Sequence, residues 1–201
     1  TEAWGIGEQL PIDLPRAATS TIGNTENLDQ MLPLLAIRGF GQSEDQMVPL
    51  HMAMVASAVA NGGKMMKPYV VEATFDNAGR ELTRTEPEVW KTPISPETAA
   101  LETEFMIGVV ESGTASCCLD LDGGVQAAAK TGTAELGVAS NPDLSHAWIV
   151  AFAPAEDPRY AVSVVLTDVQ STQDVSATGG RLAGPVAEGM LNYLLTGQGA
   201  S

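Results

Sequence analysis

Apolar positions along the chain follow helical spacing in some stretches and strand spacing in others, and their order predicts the architecture. Pro49 opens a run through Leu50, Met54, Val55, Ala58 and Val59, and Asn61-Gly62-Gly63 closes it. Proline early and Asn-Gly late are the punctuation of a helix. This one is apolar on nearly every side, so it is expected to be buried. A second helix starts at Ser95-Pro96-Glu97, which supplies a cap, a first-turn proline and an acid near the positive end of the dipole. Leu101, Phe105 and Val109 recur every four residues and are expected to form its core stripe, with Gly113 at its end. A closing helix is predicted from Pro185 to Leu195, with Val186, Met190, Tyr193 and Leu194 on one face.

The strand signals lie between these helices. Tyr69 to Phe75 reads as a strand, Asp76-Asn77-Ala78-Gly79 as a turn, and a short partner strand comes next. Three more strands are predicted, from about Ala127 to Leu136, from Ala147 to Phe152 and from Tyr160 to Leu166. The Pro154 to Pro158 loop joins the last two as a hairpin. This order implies an α/β (α+β) fold in which an antiparallel sheet is sandwiched by helices. Residues 11–35 lack periodicity, and the stretch from Ala18 to Thr25 reads as a long surface loop. No internal repeat or low-complexity tract appears.

Composition narrows the function classes. A chain of 201 residues with 44% hydrophobic side chains suits one globular domain. Its 25 acidic and 10 basic residues leave a formal charge of -15, which argues against nucleic acid as a partner. The acidity is expected to be a solvated surface. No stretch reaches the roughly 20 apolar residues of a membrane span, and no signal peptide is visible. The first residues, Thr1 to Gly5, look like the middle of a helix, which suggests a fragment or processed chain and leaves room for an anchor or targeting segment upstream. The two cysteines, Cys117 and Cys118, are adjacent. Neighbouring Cα atoms lie about 3.8 Å apart, shorter than a disulfide prefers, which argues against a bond between them. They read either as two small, partly buried thiols or as one thiol paired with a cysteine outside this segment.

The chemistry concentrates at Lys130-Thr131-Gly132-Thr133-Ala134-Glu135, preceded by three alanines that suit a buried strand. The lysine places a positive charge beside a nucleophilic hydroxyl and attracts an anion. Thr131 offers a hydroxyl to a carboxylate. Gly132 has no Cβ, so an acyl group can approach the strand closely. The Thr133 N–H can face a developing oxyanion, a contribution of roughly 3 to 4 kcal/mol to a transition state. The tripeptide K-T-G alone is weak evidence, because an ordinary edge strand with a snorkelling lysine carries it equally well.

The surrounding blocks raise its weight. Gly39-Phe40-Gly41-Gln42, then Met47-Val48-Pro49-Leu50-His51-Met52-Ala53, then Ala60-Asn61-Gly62-Gly63 resemble the G-Q, T-P-L-Q-x-A and N-G-G block of penicillin-binding protein transpeptidase domains. Val48 and His51 depart from that pattern. Val109 to Ala115 resembles the V-V and G-T-A segment ahead of the K-T-G strand. His146-Ala147-Trp148 and Phe152-Ala153-Pro154 resemble the family's next strand, and Gly179-Gly180 with Ala183-Gly184-Pro185-Val186 resembles the start of its last helix. The match runs from about Trp4 to Leu195, and the hexapeptide is similar to class B members of the actinobacterial penicillin-binding protein A group.

The resemblance implies a D,D-transpeptidase that cross-links peptidoglycan through an acyl-enzyme and is acylated by β-lactams. A D,D-carboxypeptidase, a β-lactamase or a non-catalytic sensor module on the same fold stands as the alternative. It implies that Lys130 and Thr133 are catalytic, and that Thr131, Gly132, Thr133, Ala134 and Glu135 bind the D-Ala-D-Ala terminus of a stem peptide or a β-lactam. The implied location is the extracytoplasmic face of a bacterial membrane.

The family's S-x-x-K and S-x-N motifs are missing. The residues three before Lys64, Lys67, Lys91 and Lys130 are Asn61, Lys64, Glu88 and Ala127. No asparagine has a serine two positions before it. Residues 1–201 are therefore expected to be the C-terminal portion of one transpeptidase domain, with the nucleophilic serine on an upstream segment.

The remaining candidates read as structural. His51 reads as a satisfied core or boundary side chain, and His146 as strand packing near the site edge. Trp90 and Trp148 read as core aromatics. Arg181 is a candidate for extra positive charge near an anion. No Cys/His spacing supports a metal, and no cofactor is implied.

Overall fold

The computed structural model describes residues 2–23, 31–136, 144–171 and 176–197. Its centre is a three-stranded antiparallel sheet of β5 (Ala128–Glu135), β6 (Leu144–Ala153) and β7 (Tyr160–Gln170), in that order. Lys130 pairs with Val150, Gly132 with Trp148 and Thr133 with Ala147. β6 lies in the middle and is buried along most of its length, so β5 is an edge strand among the described residues.

Alternation divides the sheet into two apolar faces. On one face, Ala127, Ala129, Ile149, Ala151, Val162 and Val164 pack with Ala183, Ala187 and Leu191 of the C-terminal region. On the other, Ala128, Val150 and Phe152 pack with Ala56 and Val59 of α2 (Pro49–Ala60) and Met106 of α3 (Pro96–Glu111). α4 (Gly184–Thr196) covers the first face. The expected sandwich of an antiparallel sheet by helices is therefore present.

The predicted start and stop signals hold for α2 and α3. Pro49 is the first residue of α2, and the helix is buried or half-buried along nearly all its length. Ser95 caps α3 by accepting a hydrogen bond from the Thr98 N–H at 3.2 Å.

Two predicted helix faces do not match. On α3, Leu101 and Phe105 are 50% and 60% exposed, while Ala99 and Met106 are the buried residues. Only Val109 of the expected stripe packs on the core, and it does so partly. α3 carries apolar residues on more than one side, so period alone does not say which side meets β5. On α4, Val186, Met190, Tyr193 and Leu194 are exposed, and Gly184, Ala187, Leu191 and Asn192 are buried. Gly184 and Ala187 win the inner position because small residues let the helix approach the sheet closely.

The remaining elements are short. A 3-10 turn spans Glu2–Trp4, where the middle of a longer helix was expected. α1 (Leu32–Arg38) occupies the end of the stretch expected to be loop, and residues 24–30, the rest of that loop with Asn24 and Thr25, lie outside the described residues. β1 (Met65–Met66) pairs with β4 (Val89–Lys91). β2 is shorter than expected, covering Ala73–Phe75, because Val70 and Val71 turn their N–H groups to the Asp13 carboxylate. It pairs with β3 (Glu81–Arg84) across the predicted turn, closed by the Gly79 N–H on the Asp76 carbonyl at 3.0 Å. Among the described residues, no helix is long and apolar enough to cross a membrane.

Cys117 and Cys118 form a disulfide, contrary to expectation. The Cα atoms are 3.8 Å apart, as adjacent residues must be. The chain turns tightly after α3, with the Cys118 N–H on the Ala115 carbonyl at 3.0 Å, and this turn brings the two side chains together. The usual Cα separation is a tendency and does not bar a bond between adjacent residues whose side chains the turn brings together. Neither cysteine is a free thiol, so neither reading offered by spacing applies.

Candidate active site

The outer edge of β5 gathers the residues singled out in the sequence. The Leu136 N–H donates to the Leu144 carbonyl at 2.9 Å, so even-numbered residues of this strand direct their main-chain groups toward β6. Thr131 and Thr133 therefore direct their N–H and C=O groups to the open edge. Two contacts confirm the phase. Lys130 Nζ donates to the Thr131 carbonyl at 2.6 Å, and Gln42 Nε2 donates to the Thr133 carbonyl at 3.1 Å.

Side chains alternate about this edge. Lys130 and Gly132 share the face of Ala128, whereas Thr131, Thr133 and Glu135 share the face that α4 covers. Lys130 is exposed and its ammonium folds back over the strand edge. Thr131 Oγ1 lies 2.6 Å from Thr114 Oγ1. Thr133 Oγ1 accepts a hydrogen bond from the Gly179 N–H at 3.4 Å. Ala134 and Glu135 continue the strand opposite His146 and Ser145.

A π-helical turn, Gly179–Ala183, supports the strand from the α4 side. Its two glycines are needed there. A Cβ on Gly179 would collide with the Trp148 carbonyl and lie 2.5 Å from the Gly132 carbonyl. A Cβ on Gly180 would collide with the Thr114 carbonyl. Such turns are frequent at functional sites. Arg181 is exposed on the same turn.

The other candidates take structural roles. His51 is 1% exposed, with Nδ1 at 2.9 Å from Ser20 Oγ and Nε2 at 2.8 Å from the Trp4 carbonyl. The carbonyl can only accept, so Nε2 carries the proton and Nδ1 accepts from Ser20. Ser20 in turn accepts the Val48 N–H at 3.0 Å. This Ser–His pair is sealed from solvent and fully used, so it is a buried tie and not a nucleophile with its base. His146 Nδ1 accepts the Asp168 N–H at 3.1 Å, which is strand packing as expected. Trp90 and Trp148 are only half-buried, so neither is the core aromatic expected; Trp90 packs beside the Leu10, Met54 and Met65 cluster. Among the described residues, no cluster of metal-ligating side chains forms.

Three contributors carried no assigned role in the sequence: Gln42, Thr114 and the glycine pair. Each lies in a block whose resemblance was visible, and only the contacts say what it touches.

Residues 1–192 match the penicillin binding protein transpeptidase domain model. The chain belongs to this transpeptidase family. The peptidoglycan D,D-transpeptidase PbpA of Mycolicibacterium smegmatis is 35% identical over 185 residues, which are 92% of this chain and 36% of that protein. The PbpA of Mycobacterium tuberculosis is 35% identical over 164 residues, 82% of this chain and 32% of that protein. This transpeptidase segment therefore spans about a third of the curated relatives it matches. Among solved structures, the penicillin G acyl-enzyme complex of penicillin-binding protein A from M. tuberculosis superposes with a TM-score of 0.82 at 32% identity. It covers 97% of this chain and 42% of that one.

Proposed function

We propose that this chain is the C-terminal portion of a peptidoglycan D,D-transpeptidase domain and forms one wall of its acyl-transfer site. The open edge of β5, where Lys130, Thr131 and Thr133 meet, is the observation that carries this reading. An extended acyl donor adds to such an edge by main-chain hydrogen bonds. Its carboxylate, the D-alanine terminus or the β-lactam acid, lies against the Thr131 and Thr133 hydroxyls. The Thr133 N–H, which the strand phase directs outward, donates to the oxyanion of the tetrahedral intermediate. Lys130 supplies positive charge beside the nucleophile. Gly132 leaves room for the acyl group, and Ala134 and Glu135 extend the binding edge.

The chain contains no S-x-x-K sequence, so the serine belongs to an upstream segment of the same domain in the parent protein. Serine attack on the donor carbonyl releases D-alanine or opens the lactam ring, and a stem-peptide amine then takes the acyl group. The parent acts on the extracytoplasmic side of the membrane, where its polymer substrate lies.

Labelled penicillin on the intact parent protein tests the reading. A stable covalent label is expected, and an unlabelled parent would overturn it in favour of a non-catalytic module. A label that turns over rapidly would favour a carboxypeptidase or β-lactamase.

A further inference from the structure

We propose that Thr114 positions the Thr131 hydroxyl for a ligand carboxylate, and that the Cys117–Cys118 disulfide holds Thr114 in place. The inference rests on the carboxylate-binding role proposed for Thr131.

The two hydroxyl oxygens lie 2.6 Å apart, so one donates to the other. A carboxylate only accepts. For Thr131 to donate its proton to a carboxylate, its oxygen must be free to receive the Thr114 proton. The chain then runs from Thr114 to Thr131 to the ligand, each bond polarising the next. Thr114 never touches the ligand in this arrangement. It selects the Thr131 rotamer and leaves the Thr131 proton facing outward.

Thr114 sits in a turn with little freedom. The Ala115 N–H donates to the Val109 carbonyl at 3.1 Å, and the Ser116 hydroxyl to the Gly113 carbonyl at 2.8 Å. Beyond Ser116, the disulfide closes the turn. On its far side, Glu188 and Asn192 of α4 accept the Asp120 and Asp122 N–H groups at 2.8 and 3.0 Å. A Cβ on Gly184 would lie 2.6 Å from the Cys118 carbonyl, so the disulfide turn is pressed against the start of α4. The Thr114 carbonyl presses on Gly180 in the same way. Displacing the disulfide turn therefore shifts Thr114 against both Thr131 and the π-helical turn. Cys117 is exposed and open to a dithiol. The dithiol supplies two electrons and two protons: the S–S bond breaks, two thiols form, and the dithiol closes to its own disulfide.

The test uses the full-length parent protein as wild type, Thr114→Val, Thr114→Ser and Cys117→Ser/Cys118→Ser. Acylation rates are measured with benzylpenicillin and with its methyl ester, which lacks the charged carboxylate. Misplacing the Thr131 hydroxyl weakens its hydrogen bond to the charged carboxylate, so Thr114→Val is expected to slow the acid about tenfold or more and the ester far less. Thr114→Ser restores the acid rate. Dithiothreitol lowers the acid-to-ester ratio of the wild type, and the double serine variant shows that lowered ratio with or without it. An equal loss for acid and ester, an unchanged ratio in Thr114→Val, or no rescue by serine overturns the inference. A wild type that takes no label overturns the proposed function instead. In that case the Thr131 χ1 couplings measured by NMR still decide the positioning: one rotamer in wild type and several in Thr114→Val support it, and identical couplings overturn it.

Discussion

Gln42 Nε2 donates a hydrogen bond to the Thr133 carbonyl at 3.1 Å, joining residues 91 positions apart. The bond ties the turn after α1 to the open edge of β5. Within the turn, Arg38 pairs with Glu44 at 2.8 Å and the Gln42 N–H donates to the Ile37 carbonyl at 3.2 Å. Met31, Leu32, Leu35, Ile37 and Phe40 around it are exposed. Gln42→Ala is expected to loosen it at a cost of about 0.5 to 1.5 kcal/mol, the usual worth of one hydrogen bond. Hydrogen exchange should quicken at residues 32–42 and stay unchanged in β6. Unchanged exchange at 32–42 would show that the bond does not hold the turn.

Lys130 is the one cation on the β5 strand and lies at its exposed edge. Lys130→Ala in the full-length parent should cut β-lactam acylation by several orders of magnitude without altering the far-UV circular dichroism. Unchanged acylation would remove Lys130 from the mechanism. The 201-residue chain alone should remain unlabelled at any penicillin concentration, as mass spectrometry of the treated chain would show.

The buried relay Val48–Ser20–His51–Trp4 predicts a stability effect without a direct effect on chemistry. Ser20→Ala strands both the Val48 N–H and His51 Nδ1 in a site closed to solvent. The expected loss is about 1 to 3 kcal/mol, read from the denaturant midpoint. A midpoint within error of wild type would mean that water replaces the hydroxyl.

Gly179→Ala puts a methyl group into the Trp148 and Gly132 backbones. Neither main chain can move without breaking the β5–β6 ladder. The variant should lose more than about 3 kcal/mol, in the range of overpacked or strained sites, and should also lose acylation in the parent. A stable, fully active variant would show that the π-helical turn is free to shift away from the strand.

Asp13 gives a pH prediction. The Val70 N–H, then the Val71 N–H, donate to its carboxylate at 2.9 Å and hold its pKa below the ordinary value of 3.8. A carboxylate depressed in the folded state stabilises the fold above its unfolded pKa. That contribution is lost as pH falls below about 3.8 toward the depressed folded value. The wild type should therefore lose stability more steeply than Asp13→Asn as pH falls below about 3.8, by thermal denaturation over a series of acidic buffers. Parallel curves would remove Asp13 from the acid response.

Legibility in the sequence differs by element. The caps and turns that bound α2, α3 and the β2–β3 turn can be read because their signals are local: Pro49, Ser95 and Asp76 act on residues within one turn of themselves. The three central strands and the K-T-G edge are also legible, from alternation and from the order of the family's blocks. The buried faces of α3 and α4 are not. Leu101 and Phe105 have the period of a core stripe, but Ala99 and Met106 are the buried residues, with Met106 against the sheet, and only the packing partner decides between them. The Cys117–Cys118 bond is hidden as well, because spacing along the chain says nothing of how tightly the backbone turns.

The sequence by itself determined the family, the order of the three long helices and the central strands, and the residues on the β5 edge. These rest on short-range chemistry and on residue types at fixed spacing. The tertiary structure alone decided which partners those residues meet. Gln42 on Thr133, Thr114 on Thr131 and Gly179 beneath Gly132 are contacts between segments 91, 17 and 47 residues apart. They exist because the sheet register and the close approach of glycine backbones bring these segments together, and no local pattern encodes such a meeting.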